Sequence, residues 1–130
     1  MVPVVSNTNV AGIPVSELIE AGRLGEIVQR TRDGGAEVVK HLKTGSAYYA
    51  PSAAVAEMVD SIVLDQKRVL PCAAWLDGEY GMSGLFLGVP CKLGRGGIEQ
   101  ILQVELTGDE RAALAKSADA VREPMKVVGL

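Results

Sequence analysis

The sequence predicts an α+β domain built on an antiparallel sheet. Three features predict it. Apolar residues recur at helical spacing through the first half, two β-prone runs separated by a turn follow Gln66, and a capping-box signature precedes a last helical stretch.

Each element has a local reason. Leu24, Ile27, Val28, Thr31, Gly35, Val38, Val39 and Leu42 share one helix face, while Arg30, Arg32, Glu37 and Lys40 fall mostly on others, predicting an amphipathic helix over 24–42. Gly34-Gly35 in its interior costs about 1 kcal/mol per glycine against alanine, so a kink or a close backbone approach is expected there. Val55, Met58, Val59, Ile62 and Val63 repeat the pattern in a second helix, opened at Pro51-Ser52 because proline is comfortable in a first turn. Between the two helices lies Thr44-Gly45-Ser46-Ala47-Tyr48-Tyr49-Ala50, small and polar residues around two tyrosines. Residues 68–76 and 85–93 read as strands joined through the turn Asp77-Gly78-Glu79-Tyr80-Gly81. Gly94-Arg95-Gly96-Gly97 marks another turn, and Leu102, Val104 and Leu106 alternate with Gln103 and Glu105, predicting a third strand. Thr107 and Glu110 form a capping box for a helix to about Arg122, with Pro124 as the stop.

Composition narrows the function classes. The chain has 130 residues, 48% of them hydrophobic and 22% charged, enough to bury one core and too few for several domains. It is read as one domain, 1–130. No run of about 18 apolar residues occurs, so no membrane span is expected. The apolar start Met1-Val2-Pro3-Val4-Val5 carries no cationic region ahead of it, which argues against a secretory signal and for a cytoplasmic protein. A net charge of −3 with interspersed Lys and Arg argues against nucleic acid as a partner. Cys72 and Cys91 lack a CxxC pair or neighbouring histidines, so they read as core thiols and no metal is expected. Aromatic residues make up only 4% of the chain, which hints at a core completed by another surface.

Candidate chemistry is sparse. The glycine cluster at 94–97 lacks GxGxxG spacing and runs into Ile98-Glu99, a strand start, so a hairpin is expected rather than a phosphate cradle. His41 is the only histidine, and with Ser46 it does not make a catalytic triad. The segment Gly45-Ser46-Ala47 has a physical rationale for binding: the chain leaves one helix and enters another, so free backbone N–H groups and a hydroxyl face outward together. A plain helix–helix corner with glycine as the C-cap fits the same residues.

Four segments read together resolve part of that ambiguity. Val10-Ala11-Gly12-Ile13-Pro14-Val15, Arg30-Thr31-Arg32-Asp33-Gly34-Gly35-Ala36-Glu37-Val38-Val39, Lys43-Thr44-Gly45-Ser46-Ala47-Tyr48-Tyr49-Ala50-Pro51 and Gly88-Val89-Pro90-Cys91-Lys92-Leu93-Gly94 occur in one register. Together with LPCAAWLDGEYG they resemble the C-terminal half of NAD-dependent malate dehydrogenases, in particular the bacterial, lactate dehydrogenase-like type. The segment Val4-Val5-Ser6-Asn7-Thr8-Asn9 departs from that family's Leu-Pro-Arg-aromatic-Ser-Thr pattern.

The resemblance implies long helices packed on an antiparallel sheet, and a chain that is one part of an enzyme. Gly45, Ser46 and Ala47 match residues that lie beside the substrate, and Pro51 matches one near the nicotinamide of NAD. No catalytic residue maps here: the family's histidine, in a Gly-Gly-His-Gly-Asp segment leading into Met-Val-Pro, is expected upstream of Met1. The Rossmann NAD-binding domain and the substrate-gripping arginines are expected upstream as well. By the resemblance, the domain takes part in interconverting malate and oxaloacetate, a dicarboxylic 2-hydroxy/2-oxo acid pair, is inactive alone and binds NAD poorly. A lactate dehydrogenase and a non-catalytic module that keeps the fold are the alternatives. Apolar stripes on both long helices, and the family's habit, imply a homo-oligomer.

Overall fold

Alternation decides the centre of the molecule, a computed structural model describing residues 1–129. Strand β3 (Arg68–Asp77) pairs antiparallel with β4 (Ser83–Gly94), and β5 (Gly97–Ile101) adds to the far edge of β4, giving the order β3-β4-β5. Cys72, Ala74 and Leu76 point to the same face as Leu85, Leu87, Val89, Cys91 and Leu93, and all eight are buried in one core. Helix α4 (Gly108–Val127) lays Leu114 and Ala118 on that face, and helix α3 (Tyr49–Val63) adds Met58 and Ile62. The fold is therefore α+β, with helices packed on one side of an antiparallel sheet.

One polar link pins α3 to the sheet, and another ties α4 to the amino-terminal turn. Ser61 is fully buried in α3, and its hydroxyl donates to Leu93 O at 2.8 Å while accepting from Arg68 N at 3.2 Å, so no polar atom is stranded there. At the other end, Thr107 and Glu110 close the expected capping box of α4. The Glu110 carboxylate also accepts from Ser6 Oγ at 2.6 Å and Ser6 N at 3.1 Å. These donors, Ser6 first and then Thr107, hold its carboxyl down at about 2. Ser6 belongs to a 3₁₀ turn, Val5–Asn7, so the segment that departs from the family pattern is what ties the amino-terminus to α4. A two-stranded ribbon, β1 (Asn9–Val10) with β2 (Ile13–Pro14), and the single turn α1 (Val15–Leu18) follow.

Helix α2 (Ala21–Leu42) begins earlier than its apolar pattern, because the Glu20 carboxylate caps Gly22 N at 3.0 Å and Arg23 N at 3.2 Å. Neither a kink nor a close approach accompanies Gly34-Gly35: the helix is continuous, and a Cβ added at either glycine meets nothing within 4 Å. No residue of α2 is buried. Its apolar stripe, including Ile27, Val38, Val39 and Leu42, faces solvent in this chain.

Other boundaries differ from the sequence expectation as well, α3 opening at Tyr49 rather than at Pro51-Ser52. Residues 102–106 form no strand: Leu102 N still donates to Pro90 O of β4 at 2.8 Å, but side chains take several of the other backbone groups a ladder would use. Tyr80 Oη donates to Leu102 O at 2.7 Å and accepts from Val104 N at 3.1 Å, and Asn7 Nδ2 donates to Glu105 O at 2.6 Å. The third strand lies just before them, at Gly97–Ile101, and the Gly94–Gly97 segment is the expected hairpin. Pro124 sits inside α4 rather than ending it. A proline near a helix end forfeits a single backbone bond, and Met125 beyond it still packs against the core.

Candidate functional site

The junction between α2 and α3 holds Gly45, Ser46, Ala47 and Pro51, the residues matched to the substrate and nicotinamide contacts. Helix α2 stops because Lys43 turns to φ 63°, with its N–H still bonded to Val39 O at 3.0 Å. Lys43, not Gly45, is the C-cap. Gly45 follows at φ 88°, and a Cβ built there would stand 2.5 Å from Tyr48 Oη and 3.1 Å from the ring, so the tyrosine lies against bare backbone. The positive φ is what favours glycine here, since Tyr48 is exposed and its ring can swing aside. Tyr48 N donates to Ser46 O at 2.9 Å, folding the loop back on itself before α3 begins.

The start of α3 is electrostatically open. Its N-cap, Tyr48, makes no side-chain cap bond, and the first turn holds no acidic residue. Pro51 falls in that turn, where its missing N–H costs nothing. Uncapped N–H groups at the positive end of a helix favour a carboxylate or other anion. Gly45, Ser46 and Pro51 are exposed and Ala47 is half-buried, so together they form one wall rather than a closed pocket. Small side chains along that wall leave room for a ligand.

Other candidates stay apart from this wall. His41 is exposed in the last turn of α2, and the carboxylate one turn back, Glu37, is already gripped by Arg30 at 2.8 and 3.0 Å. Cys72 and Cys91 are buried free thiols, and burial pushes both above the usual thiol range, leaving them protonated at neutral pH. Among the described residues no group of three or more His, Cys, Asp or Glu is placed to hold a metal ion. A cavity of about 400 Å³ opens between Met1, Val2 and Val4, the sheet at Cys72 and Leu87, and Leu114 of α4, and its lining is predominantly apolar. Sequence reasoning missed this cavity, since its walls come from three separate stretches of chain. It also missed the role of Tyr48, for which a glycine followed closely by an aromatic was the available signal.

The fit of NAD to these residues is partial. Its pyrophosphate is held in Rossmann folds by a glycine turn leading into a helix, whereas here the Gly94–Gly97 turn leads into β5 and the three-stranded sheet is antiparallel throughout. No helix among the described residues is long and apolar enough to cross a membrane.

Comparison with known proteins shows which family this α+β fold belongs to. Residues 1–128 match the family model described as lactate/malate dehydrogenase, alpha/beta C-terminal domain, and the chain belongs to that family. It is 55% identical over 128 residues to a malate dehydrogenase of Chloroherpeton thalassium, covering 98% of this chain and 41% of that one. The solved malate dehydrogenase of Salinibacter ruber superposes with a TM-score of 0.89 at 48% identity, covering 99% of this chain and 44% of its own. The lactate dehydrogenase of Cryptosporidium parvum superposes at 0.92 with 40% identity, over 97% and 43%. The chain thus spans about two fifths of the length of the relatives it matches and corresponds to their C-terminal domain. Sequence identity favours the malate branch, while backbone shape is common to both.

Proposed function

We propose that this chain is a single substrate-binding domain that supplies one wall of an NAD-dependent malate dehydrogenase, working on malate and oxaloacetate alongside a dinucleotide-binding domain. One observation carries the proposal: nearly the whole chain aligns at 55% identity with the C-terminal domain of a malate dehydrogenase. Gly45, Ser46 and Ala47 are the substrate-facing residues. The uncapped start of α3 attracts a substrate carboxylate, the Ser46 hydroxyl offers a hydrogen bond, and the small side chains keep the volume free. Pro51 gives the nicotinamide an apolar contact. NAD supplies the hydride acceptor when bound in the whole enzyme. This chain's part is to position the acid and exclude bulk water, since proximity and orientation account for a large share of the barrier lowering.

Alone, the chain has no malate dehydrogenase activity and holds NADH poorly, for none of its described residues is arranged as a proton-transferring base. Its setting is cytoplasmic, and it assembles as a homo-oligomer through the bare stripe of α2 and the exposed Val55, Val59 and Val63 of α3.

Oxaloacetate-dependent NADH oxidation tests the proposal in two settings. The chain alone gives no turnover, and robust turnover overturns the assignment of roles. Fused behind the dinucleotide-binding domain of a relative, the chain restores turnover, and Ala47→Leu then cuts kcat/KM about 100-fold, the cost of roughly 1 Å of misplacement. Unchanged kinetics in the folded variant return the junction to a plain corner.

A further inference from the structure

Cys72 on β3 and Cys91 on β4 are the chain's only cysteines, and both lie on the inward face of the sheet. The register sets Leu70 opposite Cys91 and Cys72 opposite Val89, so the two cysteines are diagonal neighbours across the ladder. Their thiols lean towards each other along the strands. Cys72 Sγ donates to Leu70 O at 3.5 Å, which brings it towards the level of Cys91. Cys91 Sγ donates to Val89 O at 3.4 Å, which brings it towards the level of Cys72. Burial is the largest influence on the ionisation of both thiols, and each thiol also acts on the other. Neither belongs to the substrate wall. Cys72 lines the apolar cavity beside Met1, Val2 and Val4, whereas Cys91 is fully buried.

We propose that Cys72 and Cys91 form a two-coordinate site for a soft divalent cation, of which mercury(II) is the type, entered from the cavity through Cys72. Distance decides between this and a disulfide. Diagonal neighbours in an antiparallel pair have Cα atoms about 7–8 Å apart, beyond the roughly 4.4–6.8 Å that a disulfide spans without backbone movement. The β3–β4 ladder is continuous on both sides of the cysteines and resists such movement. An ion between the sulfurs adds two metal–sulfur bonds of about 2.3 Å each, a length typical of thiolate sites, and so fills the longer gap. Ligand number decides the ion. Zinc takes four ligands, and among the described residues no third His, Cys, Asp or Glu joins the pair. A thiophilic ion that accepts two ligands is satisfied by the sulfurs alone. Charge decides its valence: two thiolates neutralise a divalent ion, whereas with a monovalent ion they leave an unpaired negative charge inside the core, where burial is costly. The exchange involves no electron transfer. Mercury(II) chloride and two thiols give one S–Hg–S bridge, two chlorides and two protons, so two S–H and two Hg–Cl bonds break as two Hg–S bonds form. The β3–β4 register alone brings this pair together, and no local spacing in the sequence announces it.

Mercury(II) chloride titrated into the whole chain tests the site, with native mass spectrometry and X-ray absorption reading the product. One ion per chain is expected, with two sulfur neighbours, no oxygen, nitrogen or chloride, and the release of two protons. Excess glutathione, a monothiol, then competes for the ion. The wild-type chain retains it up to about 100-fold more glutathione than Cys72→Ala or Cys91→Ala does, since the second thiolate on the same chain acts as an intramolecular ligand. Far-UV circular dichroism checks that both variants fold and that the loaded wild-type chain keeps its fold. X-ray absorption on the wild-type chain decides the geometry even if a variant does not fold. Two ions per chain, a shell with a single sulfur, equal retention by either folded variant, or uptake only after unfolding in urea each refutes the site and leaves an adventitious ion only.

Discussion

Replacing Tyr80 by Phe removes one oxygen atom and tests why residues 102–106 are not a strand. The hydroxyl donates to Leu102 O at 2.7 Å and accepts from Val104 N at 3.1 Å, so one side-chain atom stands in for a neighbouring strand. Each neutral hydrogen bond contributes about 0.5–1.5 kcal/mol net, and a backbone group left without a partner costs about 1–3 kcal/mol when water cannot reach it. Leu102 and Val104 are half-buried, so water recovers part of the loss. The expected destabilisation is about 1–2 kcal/mol, equivalent to a fall in Tm of about 3–8 °C for a domain of this size. Urea unfolding measures the total. Hydrogen exchange locates it: the Val104 amide should lose about 5–30-fold in protection if the loss is felt there, while amides in the β3–β4 ladder change only through global stability. An unaltered Val104 amide and an unaltered urea midpoint would show that this segment is held by something other than Tyr80.

Two further outcomes follow from the same geometry. The folded-state carboxyl of Glu110 sits at about 2, below the roughly 4.3 of an unfolded glutamate. A lowered carboxyl contributes stability that is complete above the unfolded value and is lost as pH falls from about 4.3 towards 2. Glu110→Gln keeps a capping side chain without the charge, so the slope of urea midpoint against pH flattens in that window, and parallel slopes for the two proteins refute the link to Ser6. Gly34→Ala and Gly35→Ala each stabilise the isolated chain by about 0.4–1 kcal/mol, because helix propensity improves and a Cβ meets nothing within 4 Å. A lower urea midpoint in either variant would show that α2 makes a close contact within this chain after all.

Local sequence determined most of the elements, while the packing of α3 and α4 decided which of the sheet's two apolar faces is the inward one. Alternation in 68–76 and 85–93 placed Cys72, Ala74, Leu76, Leu85, Leu87, Val89, Cys91 and Leu93 on one side, and all are buried. The Thr107–Glu110 box opened α4 where expected. Both signals work because neighbours a few residues apart decide them, through the pleat in one case and a cap hydrogen bond in the other. The glycine at position 45 was legible as a turn, and the resemblance proposed the residues around it as substrate contacts.

Tertiary structure decided what those neighbours could not. Alternation in 102–106 fits a strand equally well, yet Tyr80 and Asn7, distant in sequence, take the Leu102 O, Val104 N and Glu105 O groups. Pro124 reads as a helix stop until Met125 is seen packed on the core beyond it. An apolar stripe predicts a buried face, yet α2 buries none of its residues and α3 turns only Met58, Ser61 and Ile62 inward. Periodicity reports that a surface is apolar. Which body covers it depends on contacts between segments far apart in the chain, or between chains, and no local pattern encodes those.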